Sequence, residues 1–173
     1  TGEPCDMVEI WRLANAFGVK VIEDASHAIG ATYREKKIGA CQYSNITVFS
    51  FHPVKIITTA EGGVATTNDP KLARTMQLLR SHGITKDPTE MSKEPDGPWY
   101  YEQIGLGFNY RMSDIHAALG LSQLAKIDEF IAARHKIAEC YDIKLNRDLV
   151  QLPLRHSKSC SALHLYVIRV SER

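Results

Sequence analysis

The sequence predicts an α/β fold, and three observations carry that reading. Met7 to Phe17 places Met7, Ile10, Leu13, Ala14 and Phe17 on one helical face, with Asp6 as a possible N-cap and Gly18 as a stop. The β-branched run Val19 to Ile22, broken by Lys20, follows and reads as a buried parallel strand with a polar residue at its end. Two further strand-like runs, Ile46 to Phe51 (ITVFSF) and Gly62 to Thr67 (GGVATT), precede a second helix. Asn68, Asp69 and Pro70 cap and open that helix, which runs through Leu79.

The remaining elements fit the same class. The double glycine at 62 and 63 permits a close backbone approach. Residues 83–99 carry Pro88, Pro95, Gly97 and Pro98 and break any period, so this stretch is expected to be a functional loop or a mobile one. A helix starts at Ser113 with Ile115, Ala118, Leu119 and Leu121 inward. One long amphipathic helix is then expected from Leu124 to Leu145, with Ile127, Phe130, Ile131, Ile137 and Tyr141 as its stripe. Pro153 ends that region, and Leu163 to Val170 (LHLYVIRV) reads as a late strand. A helix leading into a parallel strand at one end, and a strand without a later partner at the other, suggest an internal piece of a longer protein.

Composition narrows the function classes. The chain of 173 residues has 44% hydrophobic and 24% charged residues and a net charge of +1 from 21 basic and 20 acidic side chains. That balance is globular and calls for neither a nucleic acid nor a membrane surface. The four cysteines, at 5, 41, 140 and 160, have no metal or redox spacing and read as reduced, packed residues of a cytoplasmic protein. No apolar run is long enough for a bilayer.

A few residues could carry chemistry. Lys55 follows a strand and a proline turn and sits between Val54 and Ile56. Burial among apolar neighbours would free its amine as a nucleophile, although alone it reads more readily as a surface loop lysine. Asp24 ends a strand at the edge where α/β proteins bind ligands, and a carboxylate there can pair with a protonated ring nitrogen. Alone it reads more readily as a turn or capping aspartate. His27 could stack on or hydrogen-bond a ring, and Ser50, at a strand end, could donate to a phosphate. No nucleotide-binding glycine motif, nucleophile elbow or metal-ligand spacing is present.

The segments VIEDASHAIGA, SFHPVKIITTAEGG and GFNYRMSDIHAALGLSQL occur in this order. Together they resemble the DegT-type sugar-nucleotide aminotransferases, fold-type-I pyridoxal-phosphate (PLP) enzymes. SHAIGA, TTAEGG and the late LHLYVI are most similar to enzymes that aminate a UDP-linked 4-keto-6-deoxy sugar, as in pseudaminic acid synthesis. The resemblance implies Lys55 as the Schiff-base lysine, Asp24 at the PLP ring nitrogen, His27 beside the ring and Ser50 at the phosphate. It implies that Asn109 reaches the cofactor phosphate of a neighbouring subunit, hence a homodimer with composite sites. Tyr110, Arg111 and His164 become substrate contacts, with no metal required.

The domains implied are residues 1–123, the later part of the PLP-binding large domain, and 124–173, the start of a small C-terminal domain. The implied reaction is transamination of a nucleotide-linked keto sugar with an amino-acid donor, glutamate foremost. Ile56 and Ala60 depart from the usual asparagine or proline and glycine of the lysine loop. Family members also have an earlier sheet and a complete small domain that this chain lacks. Two alternatives follow: an inactive truncated remnant that binds a partner chain or sugar nucleotide, and a PLP-dependent sugar dehydratase. The dehydratase relatives carry histidine where Lys55 stands.

Overall fold

The computed structural model describes residues 1–170. In chain order it contains α1 (Met7–Ala16), β1 (Ile22–Asp24), β2 (Thr32–Tyr33), β3 (Lys36–Lys37), β4 (Ile46–Ser50), β5 (Gly63–Thr66) and α2 (Pro70–Arg80). Then come β6 (Ile84–Thr85), β7 (Glu102–Gln103), α3 (Asp114–Leu124), α4 (Ile127–Lys144), β8 (Val150–Gln151), β9 (Ser159–Cys160) and β10 (Arg169–Val170). The chain divides into two units, Thr1–Asn68 with Asp114 onward, and Asp69–Ser113.

The first unit is built on a sheet of order β1-β4-β5, with β1 parallel and β5 antiparallel to β4. An added Cβ on Gly63 would lie 2.7 Å from the Phe49 carbonyl oxygen, so the glycine expected to permit close approach does so between β4 and β5. Ladder pairing starts at Ile22 because Val21 gives its N–H to the Asn45 side chain, 2.8 Å away. The first strand is parallel as expected, but it lies later in sequence, and Ile22 is 66% exposed while Val21 is buried.

Helix α1 also differs in its face. Met7 and Ala14 are buried with Val21 and Tyr33, and Val8 and Trp11 pack against them. Ile10, Leu13 and Phe17 are exposed instead. Asp6 stands at the N-cap position without a capping bond, because its carboxylate accepts the Tyr33 hydroxyl at 2.6 Å. The main core joins Ala25, Ala28, Ala31, Ile56, Ile57 and Ala162, against which Ile127, Phe130 and Ile131 of α4 pack.

The helical region after residue 113 is two helices, interrupted where Lys126 N–H bonds the Gln123 carbonyl at 3.0 Å. On α3 the expected inward residues Ile115, Ala118, Leu119 and Leu121 are exposed. The half-buried residues are His116, Ala117, Gly120 and Gln123. A Cβ on Gly120 would come within 2.7 Å of Thr59 Cγ2, so the helix lies too close to the Lys55 loop for large side chains on that face. On α4, Ile137 and Tyr141 are exposed, while Arg134, His135 and buried Ala138 continue the inner stripe.

The expected strand from Leu163 to Val170 is mostly irregular. Leu163 is left-handed (φ 48°), Ala162 N–H bonds the Gly2 carbonyl (3.0 Å) and Leu165 N–H bonds the Thr1 carbonyl (3.2 Å). Arg134 takes the carbonyls of Leu163 and His164 at 3.1 and 3.3 Å. With these groups satisfied outside a ladder, only Arg169–Val170 pairs, antiparallel to β8. Asp142 of α4 ties this tail down, accepting Tyr166 Oη at 2.6 Å and pairing Arg155 at 2.8 Å.

In the second unit, Asp69 caps α2 through the N–H groups of Lys71 and Leu72, with Pro70 in the first turn, as expected. The stretch 83–99 is partly ordered: β6 pairs β7, and a 3-10 turn spans Pro88–Glu90. The Glu90 carboxylate accepts Arg74 Nε and Thr85 Oγ1, both at 2.6 Å. The cysteines are free, but Cys5, Cys140 and Cys160 are exposed rather than packed. Among the described residues no helix is long and apolar enough to cross a membrane, and no cluster fit to hold a metal is present.

Candidate active site

Because β1 and β4 run parallel, their carboxyl ends share one sheet edge. Asp24 is the last residue of β1 and Ser50 the last of β4. The turn after β1 is fixed by Ala25 N–H to the Val48 carbonyl (2.9 Å) and Ala28 N–H to the Ala25 carbonyl (2.8 Å), and it carries His27. The tail brings His164 onto His27, ring centroids 4.4 Å apart and tilted by 45°. A cavity of about 220 Å³ opens here, bordered by Thr1, Gly2, Asp24, Ser26 and His27.

Lys55 sits on the turn after β4, its N–H bonded to the His52 carbonyl at 2.9 Å. It is half-buried; Ile56 and Ile57 beside it are buried, but Val54 is exposed, so only one of the expected apolar flanks encloses it. The rest of the loop is pinned. Thr58 Oγ1 donates to the Phe51 carbonyl (2.8 Å) and accepts Ala60 N–H (2.9 Å). Thr58 N–H reaches Gln123 Oε1 of α3 at 2.9 Å. Ala60, where family members often have glycine, is left-handed with φ 66°.

Electrostatics ties these groups together. Asp24 is held below the usual carboxylate range, mainly by the Ser26 hydroxyl (2.5 Å) and the Ser26 N–H (3.0 Å), with smaller help from His27 and Lys55. It is thus an exposed, ionised carboxylate as well as the turn residue of the alternative reading. Burial, then the charge of Lys55, pushes the His27 imidazole below its ordinary range. Burial, followed by His27 and Lys55, depresses His164 to about 4. Ser50 Oγ accepts only a long contact from His52 N–H (3.4 Å) among the described residues, which leaves its proton free to donate.

Asp24, His27, Lys55 and His164 therefore act on one another, with Ser50 at the adjacent strand end. Asn109, Tyr110 and Arg111 belong to the second unit and are exposed. There Tyr110 stacks on Phe108 (4.9 Å, 14°), and its N–H bonds the Arg80 carbonyl at 2.9 Å. The sequence reading passed over Gln123, which clamps the lysine loop, and Arg134, which clamps the His164 turn. Arg134 could have been found, since it continues the helical spacing of Ile127 and Ile131.

The profile of a known family matches residues 1–173, the whole chain. The chain belongs to the DegT/DnrJ/EryC1/StrS aminotransferase family. It is 40% identical over 169 residues to the UDP-4-amino-4,6-dideoxy-N-acetyl-beta-L-altrosamine transaminase of Campylobacter jejuni, covering 96% of this chain and 42% of that protein. Among solved structures, PseC of Helicobacter pylori, an aminotransferase of pseudaminic acid biosynthesis, superposes with a TM-score of 0.86 at 35% identity. That match covers 99% of this chain and 43% of PseC. The sugar aminotransferase Spr1654 of Streptococcus pneumoniae, in its PLP form, matches with a TM-score of 0.82 at 28% identity, over 98% of this chain and 46% of that one. The chain thus spans less than half the length of the curated relatives it matches. The α/β class expected from the sequence is the fold of these DegT-family neighbours.

Proposed function

We propose that this chain supplies the lysine and ring-nitrogen part of a PLP-dependent aminotransferase that aminates a nucleotide-linked keto sugar, with glutamate as donor. The observation that carries the reading is the ionised carboxylate of Asp24 at the end of β1 and the half-buried Lys55 on the turn after the neighbouring parallel strand β4, within an aminotransferase family. The donor set fits the cofactor: a carboxylate for a protonated ring nitrogen, an amine for an aldehyde, and a hydroxyl with a free proton for a phosphate. When bound, PLP supplies the electron sink for the pair of electrons left at the substrate carbon.

The chain's own residues then take distinct parts. Asp24 would hold the ring nitrogen in its protonated form through a charge-assisted hydrogen bond. Lys55 Nζ would hold the cofactor's aldehyde carbon and, once released by the amino donor, would serve as the base that moves a proton at the substrate carbon. His27 would lie beside the ring, Ser50 would hold the phosphate, and Tyr110 and Arg111 would face the sugar nucleotide. Asn109 serves the site of a neighbouring subunit in a cytoplasmic homodimer. Residues 1–123 belong to the large domain and 124–173 begin the small one. Coverage of under half of the relatives supports the view that turnover needs further chain of the kind those relatives contain.

The test is an assay of the complete protein with PLP, glutamate and UDP- or GDP-linked 4-keto-6-deoxy sugars. Formation of 2-oxoglutarate that stops in a Lys55→Ala variant is expected. Turnover that survives Lys55→Ala, or elimination of a sugar hydroxyl without amination, would contradict the reading.

A further inference from the structure

We infer that His164 is a positioning residue for His27, holding that imidazole in one orientation and one protonation state beside the cofactor ring. The inference rests on the proposed cofactor site and deepens it. His27 sits on a turn, half-buried, and one ring contact limits how far it can swing: the face of His164 at 4.4 Å. Nδ1 of His27 receives a hydrogen bond from the Thr1 nitrogen at 3.2 Å. A neutral His27 therefore carries its proton on Nε2 and offers it as a donor.

His164 is itself held firmly. Arg134 of α4 grips the Leu163 and His164 carbonyls, and the left-handed Leu163 sets the angle at which the ring leaves the chain. On the other side, Gly2 packs so tightly that a Cβ would lie 2.7 Å from the His27 carbonyl oxygen. The Nδ1 atom of His164 is buried with no hydrogen-bond partner among the described residues. An imidazole kept for its own hydrogen bonding would not be left so; one kept as a packing surface can be.

The charges around the pair agree. His27 faces Asp24 and Lys55, while His164 faces His27, Lys55 and Arg134. Burial, the largest cause for each, favours the neutral form of both rings, and Lys55 acts in the same direction on both.

The test compares His164→Ala and His164→Phe in the complete protein, with His164→Leu replacing the alanine variant if that one fails to fold. In the cofactor-free protein, NMR titration of the His27 ring is expected to show its pKa rising toward the ordinary range in His164→Ala and staying depressed in His164→Phe, which keeps the ring contact. In the loaded enzyme, the glutamate half-reaction should slow about tenfold in His164→Ala, the rate equivalent of one ordinary hydrogen bond. It should recover in His164→Phe, with KM for the sugar nucleotide unmoved. Unchanged His27 titration in His164→Ala would overturn the inference, as would a sugar KM that rises equally in both variants, which would make His164 a substrate contact. The NMR arm needs no cofactor, so failure of PLP to attach in the wild type would count against the proposed function alone.

Discussion

The loop from Phe51 to Gly63 and the outer face of α3 belong to the same unit, and they are fixed in opposite ways. The loop is tied at Phe51, Thr58, Thr59 and Ala60 by bonds within itself, and at Thr58 by Gln123. Ile56 and Ile57 anchor it in the core. The outer face of α3 presents Ile115 and Leu121 at 81% and 68% exposure, with Leu119 and Leu124 also exposed. Large apolar groups shown to solvent on one helix mark contact with further protein. Placement of Lys55 is thus fixed within this chain, whereas the apolar outer face of α3 is uncovered among the described residues.

Perturbing the loop side of this contrast gives the larger effects. Asp24→Asn in the complete protein should leave cofactor attachment at Lys55 intact but slow the glutamate half-reaction. Loss of a charge-assisted hydrogen bond, about 1.5–3 kcal/mol, corresponds to roughly 10–100-fold. Single-turnover kinetics would show it, and an unchanged rate would detach Asp24 from the ring nitrogen. Gln123→Ala should destabilise by about 1–2 kcal/mol, because it strands the Thr58 N–H. Denaturant unfolding measures that cost, and the attached-cofactor absorbance should broaden or shift as the loop loosens. If neither moves, α3 does not clamp the lysine loop.

The second unit offers a comparison by pH. Hydrogen bonds from Arg74 and Thr85 hold the Glu90 carboxyl down to about 2, from an ordinary 4.5. A depressed carboxylate stabilises the folded form fully above its ordinary pKa and loses that contribution as pH falls from about 4.5 toward 2. Protection factors against hydrogen exchange in 84–103, corrected for the intrinsic pH dependence, should therefore fall on acidification in the wild type, and a Glu90→Gln variant should already show low protection at neutral pH. Equal exchange in the two would show that Glu90 does not hold the stretch.

The smallest effect is expected at Ala60. A left-handed alanine costs about 1–2 kcal/mol, and a glycine there adds about 0.5–1 kcal/mol of unfolded-state entropy, so Ala60→Gly should stabilise by about 0.5 kcal/mol. A loss of stability on thermal unfolding would mean that the loop conformation depends on the alanine methyl.

Legibility in the sequence followed the range of the forces involved. Asp69 and Pro70 announce α2 because capping acts within a few residues, and ITVFS announces β4 by composition. Lys55, Asp24 and Ser50 were readable because strand ends and a proline turn place them by local rules. The inner face of α3 was misread because size suggested Ile115 and Leu119, whereas the close approach of Thr59 at Gly120 leaves His116, Ala117, Gly120 and Gln123 on that face. The late strand failed for a similar reason: Arg134, some thirty residues away, satisfies the carbonyls of a left-handed turn. No window on Leu163 to Val170 contains that information.

The central claim is that Lys55 is the residue to which the cofactor attaches. Adding PLP to the complete protein should produce a visible near-violet band; borohydride reduction, digestion and mass mapping should then place the pyridoxyl group on the peptide containing Lys55. Finding it on Lys37 or Lys71, or finding no band and no modified lysine, would contradict the assignment.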